Sequence, residues 1–197
     1  MNGSLCPFIC TSMSFFVVFF TSFGNHKQKS KGVIVMKFNF FKKEPVEFYT
    51  PVNGKIVSLE EVPDPVFSQK MMGDGIAVMP TSGDIVSPVK GTVILVAATK
   101  HAVGLRAEDG SEILIHVGLE TVALDGKGFN VAVNEGDKVS AGQLLIEVDW
   151  EYISTNAKST ITPVVITNSE DGKKQYTFTE EKEGTAGKTV LFTAAAK

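Results

Sequence analysis

Cysteine is almost absent from this chain of 197 residues, and histidine is nearly as rare. The two cysteines, Cys6 and Cys10, lie near the N-terminus, and the chain from Met36 onward contains none. A domain without cysteine needs no oxidising compartment, so the reducing cytoplasm is the expected location. Charged residues make up 21% of the chain, with a formal net charge of −3. This balance gives no reason to expect nucleic acid as a partner.

The first 35 residues differ in composition from the remainder of the chain. Leu5 to Phe23 is a run of apolar and hydroxyl-bearing residues with nearly the length of a membrane span. No positive charge precedes this run and no small-residue cleavage site follows it, which argues against a signal peptide. Lys31-Gly32 would be encoded by a purine run that resembles a bacterial ribosome-binding site before Met36. We therefore interpret residues 1–35 as a non-native or untranslated extension; the alternative is a membrane anchor.

Long helical patterns are missing after Met36, and short apolar runs separated by Gly, Pro, Asn and Asp take their place. These runs predict strands at Val46–Thr50, Gly75–Met79, Thr92–Ala98, Ala102–Ala107, Glu112–Val117, Leu144–Asp149, Thr162–Thr167, Gln175–Thr179 and Thr189–Thr193. Only Asp149–Lys158 has a helical pattern. Many short strands without crossover helices predict an all-β fold, an antiparallel β-sandwich with very little helix.

The same pattern predicts one domain. Residues 36–45 form a short N-terminal tail, residues 46–193 form the β-domain, and residues 194–197 form a second tail that we expect to fray. No low-complexity linker divides the domain. The sequence encodes no oligomeric state, and a monomer is the default expectation.

The candidate functional residues of this domain, two histidines, lie in one short stretch of the sequence. Asp109-Gly110 between two alternating runs is a strong signal for a hairpin with a two-residue loop. That loop predicts a register in which Val103 lies opposite His116 and His101 is the diagonal neighbour of His116. Residues of equal parity share one face, and diagonal Cα atoms lie about 7–8 Å apart. We therefore expect the two imidazoles to approach each other or one small anion.

Three roles fit two converging imidazoles. Apolar neighbours of His116 favour the neutral, nucleophilic form of its ring, and a second imidazole can donate a hydrogen bond to a phosphoryl group. Both could also be ordinary strand histidines bonded to backbone or water. The third role is a zinc site on His101 and His116, although a stable zinc site needs about three or four ligands. Asp64 or Glu120 could add a carboxylate, but the sequence argues against a zinc site held by this chain alone; of the two forms of zinc site, one shared with a partner's carboxylate fits better.

Three longer phrases resemble a single protein family. They are Val62–Phe67 with Met72–Ala77, Ile115–Val122 with Gly126–Phe129, and Ala157–Asn168. Together with the spacing of the two histidines, these phrases resemble the enzyme IIA component of the glucose family of the bacterial phosphoenolpyruvate-dependent sugar phosphotransferase system. The resemblance covers roughly residues 46–192, which is the whole predicted domain.

This resemblance implies an antiparallel β-sandwich that works as a phosphocarrier. His116 matches the histidine that is phosphorylated through Nε2, and His101 matches the partner histidine that contacts the phosphoryl group. Thr99 matches the threonine whose hydroxyl orients that partner. The implied donor is the histidine-containing phosphocarrier protein, and the implied acceptor is a cysteine on the IIB domain of a membrane sugar permease. No cofactor is required, and the protein would act in the cytoplasm, transiently at the inner face of the membrane.

A docking surface for both partners is expected around the two histidines. It should be aliphatic at its centre, apart from one phenylalanine, and acidic at its rim. Its predicted residues are Asp64, Val66, Phe67, Val103, Leu114 and Glu120. Glu120 stands where some family members carry Asp, a departure that keeps the charge.

Two other functions are open alternatives. Asn134–Leu145 resembles the E-G-D-x-V-x-x-G-Q-x-L phrase of biotin- and lipoate-carrying domains, but no M-K-M or D-K-A phrase supplies a carrier lysine at a matching place. That function would also leave both histidines unexplained. An envelope peptidase with zinc on His101 and His116 would need a further motif such as H-E-x-x-H, which the sequence does not contain.

Overall fold

The structure is a computed structural model that describes residues 44–197. Its strands are β1 Val46–Tyr49, β2 Asn53–Ser58, β3 Asp74–Ser82, β4 Ile85–Val86, β5 Gly91–Val96, β6 Ala102–Ala107, β7 Glu112–His116, β8 Phe129–Val131, β9 Lys138–Val139, β10 Leu144–Val148, β11 Thr162–Ile166, β12 Lys174–Phe178, β13 Glu183–Gly184 and β14 Val190–Ala196. The two α-helices are α1 Pro65–Ser68 and α2 Trp150–Asn156, and short 3-10 helices lie at Leu59–Glu61, Thr121–Leu124 and Ser169–Asp171. No helix in this part of the chain is long and apolar enough to cross a membrane. The interpretation of residues 1–35 falls outside the described residues.

The strands pair antiparallel in three sheets. An eight-stranded sheet has the order β13-β2-β3-β11-β7-β6-β5-β9, and two three-stranded sheets have the orders β1-β14-β12 and β4-β10-β8. The predicted all-β fold, an antiparallel sandwich with very little helix, is confirmed.

The main hydrophobic core draws side chains from all three sheets. Leu105 and Ile113 come from the inner face of the eight-stranded sheet, and Ile146 comes from β10. Phe48 of β1 and Phe192 of β14 stack with their ring centroids 4.5 Å apart. All five side chains are almost fully buried. Burial of each side chain of this size stabilises the fold by about 1.5–3 kcal/mol, and the core therefore fixes the sheet that carries both histidines.

A second apolar cluster covers the outer face of the eight-stranded sheet. Ala77 of β3 and Val165 of β11 contribute from the sheet, and Phe67 of α1 and Leu119 complete the cluster. Val165 lies opposite Leu114 of β7. The outer face is therefore packed under α1 at the end of β7 that carries His116.

Helix α1 was not predicted, although its start has a sequence signature. The Asp64 carboxylate accepts a hydrogen bond from the Val66 amide at 2.9 Å, and Pro65 occupies the first helical position. An acidic cap followed by proline is a favourable helix start, since proline has no amide hydrogen to leave unpaired. The short helix places Phe67 over the outer face of the sheet.

The C-terminal strand is longer than expected. Ala196 of β14 lies opposite Lys174 of β12, and the Lys197 amide donates to the Lys173 carbonyl at 3.1 Å. Residues 194–196, expected to form a tail that frays, instead lie in β14 and pair with β12. The other predicted strands are present, with ends shifted by up to three residues.

Candidate active site

The hairpin of β6 and β7 differs in register from the one predicted. Ala102 lies opposite His116, and Val103 lies opposite Ile115. The predicted pairing of Val103 with His116 is wrong by one residue. Because side chains alternate along a strand, this shift sends Val103 to the inner face, while His116 points to the outer face.

The loop of this hairpin explains the shift. It has three residues, Glu108–Gly110, closed by a hydrogen bond from the Ala107 amide to the Ser111 carbonyl at 2.9 Å. Gly110 has a φ of 87°, in the left-handed region. The Asp109 carboxylate accepts the Ser111 amide at 2.9 Å, which favours this wider turn over a two-residue loop.

His101 reaches the outer face because it lies in a turn just before β6. Lys100 has a φ of 59°, in the left-handed region, and its amide donates to the Ala97 carbonyl at 2.7 Å. Strand alternation applies to extended residues, and this turn redirects the chain at His101. The His101 and His116 rings lie with centroids 4.7 Å apart and planes at 69°. The predicted convergence of the two rings is confirmed, although the predicted register was wrong.

The turn also holds a side chain against His101. Thr99 Oγ1 lies 2.7 Å from Nδ1 of His101. His101 is only 9% exposed, and this contact gives its Nδ1 a hydrogen-bond partner within the protein. The structure brings Thr99, His101 and His116 together as one group.

The tautomer of His116 follows from its backbone contact. Its Nδ1 lies 2.8 Å from the carbonyl oxygen of Gly118, and a carbonyl can only accept. Nδ1 therefore carries the hydrogen, and the lone pair of the neutral ring is on Nε2.

Gly118 has a φ of 74°, and a Cβ there would lie 2.7 Å from Cγ2 of Thr121 and 3.0 Å from the Ser159 carbonyl oxygen. Only glycine fits this position, and sequence reasoning missed its role although it directly follows the I-H-V phrase.

Burial favours the neutral form of both rings. It lowers the pKa of His101 to about 4, with a further contribution from the charge of His116. It also lowers the pKa of His116, although the hydrogen bond to Gly118 and the charge of Asp64 partly oppose this shift. Both rings are consequently neutral at pH 7, which is the state that an imidazole nucleophile requires.

Two carboxylates lie at the rim of the site. Asp64, at the start of α1, favours the protonated form of His116 through its negative charge and so raises the His116 pKa. Glu120 forms an ion pair with Lys158 at 3.1 Å, and both side chains are largely exposed. An exposed pair of this kind contributes at most about 1 kcal/mol, so a partner's cation can replace Lys158 at low cost.

The predicted docking residues do not all lie at the surface. Val66 is 39% exposed, whereas Phe67 is 4% exposed and lies edge-on to His116 with centroids 5.2 Å apart. Val103 is fully buried in the main core, so its prediction as a docking residue is wrong. Leu114 shares the outer face with His116 but is 8% exposed. A buried side chain cannot provide a contact surface, so Leu114 is a packing residue beside His116 and not a docking residue.

Two exposed apolar side chains near the site were missed. Leu95 of β5, 44% exposed, lies opposite Gly104, and Val122, 55% exposed, follows Glu120 by two residues. The exposure of Leu95 could not be predicted from the alternation of side chains along β5. A bulge between Val93 and Leu95 interrupts that alternation.

The site fits a metal ion only in part. Within residues 44–197 no group of three or more His, Cys, Asp and Glu side chains is placed to hold a metal ion. His101 and His116 would give zinc two imidazole ligands, and a stable site needs about three or four. A zinc ion here would need further ligands from a partner.

The chain matches known proteins over the region that carries this site. The family model described as "phosphoenolpyruvate-dependent sugar phosphotransferase system, EIIA 1" matches residues 46–172. The PTS system glucose-specific EIIA component of Staphylococcus epidermidis is 55% identical over 125 residues, which are 64% of this chain and 75% of that protein. Its counterpart from Staphylococcus aureus is 51% identical over 128 residues, which are 65% of this chain and 77% of that protein.

A solved structure shows the same fold. The glucose permease IIA from Mycoplasma capricolum superimposes with a TM-score of 0.69 and is 34% identical in sequence. The match covers 76% of this chain and 96% of the other. The chain belongs to the EIIA 1 family of the phosphoenolpyruvate-dependent sugar phosphotransferase system.

Proposed function

We propose that this chain is a phosphocarrier that accepts a phosphoryl group on Nε2 of His116 and passes it on. The donor is the histidine-containing phosphocarrier protein, and the acceptor is a cysteine on the IIB domain of a membrane sugar permease. The observation that carries the proposal is the hydrogen bond from Nδ1 of His116 to the Gly118 carbonyl, because it leaves the lone pair on Nε2. Family membership supports the phosphotransferase role.

The transfer needs no proton to leave His116. The Nε2 lone pair forms the new nitrogen–phosphorus bond while the bond between phosphorus and the donor's histidine breaks. The hydrogen stays on Nδ1, which continues to donate it to the Gly118 carbonyl oxygen, and this hydrogen bond stabilises the positive charge that develops on the ring. In the second step the thiolate of the acceptor attacks phosphorus, and the electron pair returns to Nε2.

His101 has a separate role in this proposal. If the Thr99 hydroxyl donates to Nδ1 of His101, the neutral ring carries its hydrogen on Nε2. That group can donate to a phosphoryl oxygen on His116, because the two rings are neighbours. Phosphoryl transfer is mainly positioning and charge stabilisation, so one such donor is a substantial part of the chemistry.

The partners and the setting follow from this role. The chain acts in the cytoplasm, transiently at the membrane through the permease, and it requires no cofactor. The membrane component, not this chain, selects the sugar. The alternative functions, a biotinyl or lipoyl carrier and an envelope zinc peptidase, have no support from the family match or from the geometry of the two histidines.

A transfer assay tests this proposal. The purified chain is incubated with the phosphorylated donor protein, and the label is followed in the wild type and in His116→Ala. We expect the wild type to gain one label that is labile in acid and stable in base, as a phosphoramidate is, and His116→Ala to gain none. An acid-stable label would implicate a hydroxyl group and overturn the assignment.

A further inference from the structure

Thr121 is a fully buried polar residue that the chemistry of transfer does not use directly. It begins the 3-10 helix Thr121–Leu124, and Glu120 before it has a φ of 59°, in the left-handed region. That conformation turns the chain back on itself, and the Thr121 hydroxyl donates to the Val117 carbonyl at 2.9 Å. A buried hydroxyl needs such a partner, because burial removes the water that would otherwise bind it. The bond links Thr121 to the segment that follows His116.

Val117 joins the backbones of the two histidines. It directly follows His116 in the chain, and its amide donates to the carbonyl of His101 at 2.8 Å. Its side chain is fully buried in the main core. The carbonyl that Thr121 binds belongs to the peptide group between Val117 and Gly118. Thr121 therefore acts on the peptide group that leads into the glycine.

Gly118 must hold its carbonyl in one direction, because that oxygen accepts the hydrogen bond from Nδ1 of His116. Glycine has the widest range of backbone conformations of any residue, so its own φ and ψ preferences do not fix this direction. The peptide group after Gly118 is held by the Leu119 amide, which donates to the Ser159 carbonyl at 2.8 Å. An anchor on one side alone still lets the chain rotate at the glycine, so the preceding peptide group must be held as well.

Thr121 supplies the anchor on the preceding side through two groups. Its hydroxyl holds the Val117 carbonyl. Its Cγ2 methyl group lies against the face of Gly118 that carries no side chain, 2.7 Å from the position that a Cβ would occupy. Serine would keep the hydroxyl without the methyl group, and valine would keep the methyl group without the hydroxyl. The two contributions of the threonine can therefore be separated by substitution.

We propose that Thr121 is a positioning residue for phosphoryl transfer, whose hydroxyl holds the Gly118 carbonyl in the direction that keeps the hydrogen of the neutral His116 ring on Nδ1. This inference rests on the proposed function. Without the hydroxyl, the carbonyl turns away in part of the molecules, and the ring hydrogen is then free to lie on Nε2. In that tautomer Nε2 has no available lone pair and cannot attack phosphorus.

The buried position of Thr121 separates this role from the binding of partners. A side chain with no exposed surface touches neither the donor nor the acceptor. Loss of the hydroxyl should lower kcat, since fewer rings have the reactive tautomer, and it should leave the KM for the donor unchanged. A change at an exposed docking residue such as Val66 should act mainly on KM.

The test compares Thr121→Val with Thr50→Val. Thr50 is also fully buried, and its hydroxyl donates to the Thr189 carbonyl at 3.2 Å, where β1 meets β14. Both variants lose one buried hydrogen bond, so urea unfolding should show similar losses of stability. Nitrogen NMR of the unphosphorylated chain at neutral pH should show a lower fraction of His116 rings with the hydrogen on Nδ1 in Thr121→Val only. The kcat for phosphorylation by the phosphodonor should fall by about twofold to fivefold in that variant and stay unchanged in Thr50→Val.

Two further variants separate the hydroxyl from the methyl group. Thr121→Ser keeps the hydroxyl and should restore the wild-type tautomer and kcat. Thr121→Ala removes the hydroxyl without placing a methyl group against the Val117 carbonyl, and it serves the same comparison if Thr121→Val does not fold.

The outcomes separate this inference from the proposed function. A wild-type chain that accepts no phosphoryl group would overturn the function itself. Acceptance by the wild type, together with a wild-type tautomer in Thr121→Val, would overturn the role of Thr121 alone. Equal changes of tautomer in Thr121→Val and Thr50→Val would show a general effect of lost stability and would overturn that role too. An altered tautomer in Thr121→Ser would assign the effect to the methyl group and contradict a role for the hydroxyl.

Discussion

Nδ1 of His116 lies 2.8 Å from the carbonyl oxygen of Gly118, and this contact fixes the tautomer of the neutral ring. The carbonyl oxygen accepts a hydrogen bond from Nδ1–H, so Nε2 is the basic nitrogen of the neutral ring. A backbone acceptor has no rotamers, so the ring orientation is fixed before any partner arrives. The proposed attack by Nε2 depends on this fixed tautomer.

His101→Gln should separate the two half-reactions. Glutamine can still offer a hydrogen bond, so we expect His116 to accept the phosphoryl group from the donor at a nearly normal rate. Transfer to the acceptor should be impaired, since the departing phosphoryl group loses the charge stabilisation of an imidazole. Single-turnover rates for each half-reaction measure this difference. An equal loss in both would contradict a separate role for His101.

Thr99→Val tests the orientation of His101. Valine has a similar shape but cannot bond to Nδ1 of His101, and loss of such a bond costs about 1 kcal/mol. We expect transfer to the acceptor to slow by about fivefold and the tautomer of His101, followed by nitrogen NMR, to change. Thr99→Ser keeps the hydroxyl and should behave like the wild type. A normal tautomer and rate in Thr99→Val would mean that the hydroxyl does not orient the ring.

The buried histidines should make the fold sensitive to acid. The pKa of His101 is about 4 in the folded protein, against an ordinary value of 6.5, and burial is the main cause. Between these values the unfolded chain binds more protons than the folded one, so stability is complete above pH 6.5 and falls as the pH drops toward 4. This one group should account for up to about 3 kcal/mol of the free energy of unfolding.

Urea unfolding of the wild type and of His101→Gln, at several values between pH 7 and pH 4.5, checks this expectation. The variant should lose stability less steeply, because its side chain does not titrate. Parallel pH profiles for the two proteins would show that burial does not hold His101 neutral.

Val66→Lys tests the docking surface close to the site. Val66 is 39% exposed on α1, so the lysine can reach solvent and the fold should stay intact. We expect transfer from the donor to slow, because the added lysine would repel the complementary positive charge that we expect a donor to present to Asp64. Raising salt should slow the wild-type reaction and narrow the difference. Rates that are normal in the variant and independent of salt in the wild type would place docking elsewhere.

Phe67→Lys is not an equivalent test. The Phe67 ring is 4% exposed, within the second apolar cluster. A lysine there would bury a charge or displace α1, so a loss of transfer would come with a loss of stability. A lower midpoint of thermal unfolding in Phe67→Lys than in Val66→Lys would confirm that the two positions differ.

The strands were predictable because their apolar runs are short and separated by turn residues. The approach of the two histidines was predictable, but the predicted strand register was wrong by one residue. The sequence Asp109-Gly110 is compatible with a two-residue and a three-residue loop, and the choice depends on the Asp109 side chain bonding to Ser111. The left-handed conformation of Lys100, which turns His101 outward, has no clear signal in the sequence because lysine rarely adopts it.

The surface was less predictable than the site. Residue type indicates that Val103, Leu114 and Phe67 are apolar, but burial depends on which face each one occupies. A one-residue shift in register moved Val103 to the core. The exposure of Leu95 depends on a bulge in β5. Features that depend on three-dimensional packing in this way cannot be read from hydrophobicity alone.

The central claim is that Nε2 of His116 carries the phosphoryl group. The most direct measurement is NMR of the phosphorylated, ¹⁵N-labelled chain, in which coupling between ³¹P and ¹⁵N identifies the bonded nitrogen. We expect a single coupled nitrogen, Nε2 of His116, with Nδ1 still protonated and hydrogen-bonded to the Gly118 carbonyl. Coupling to Nδ1, coupling to His101, or phosphorus bonded to oxygen would contradict it.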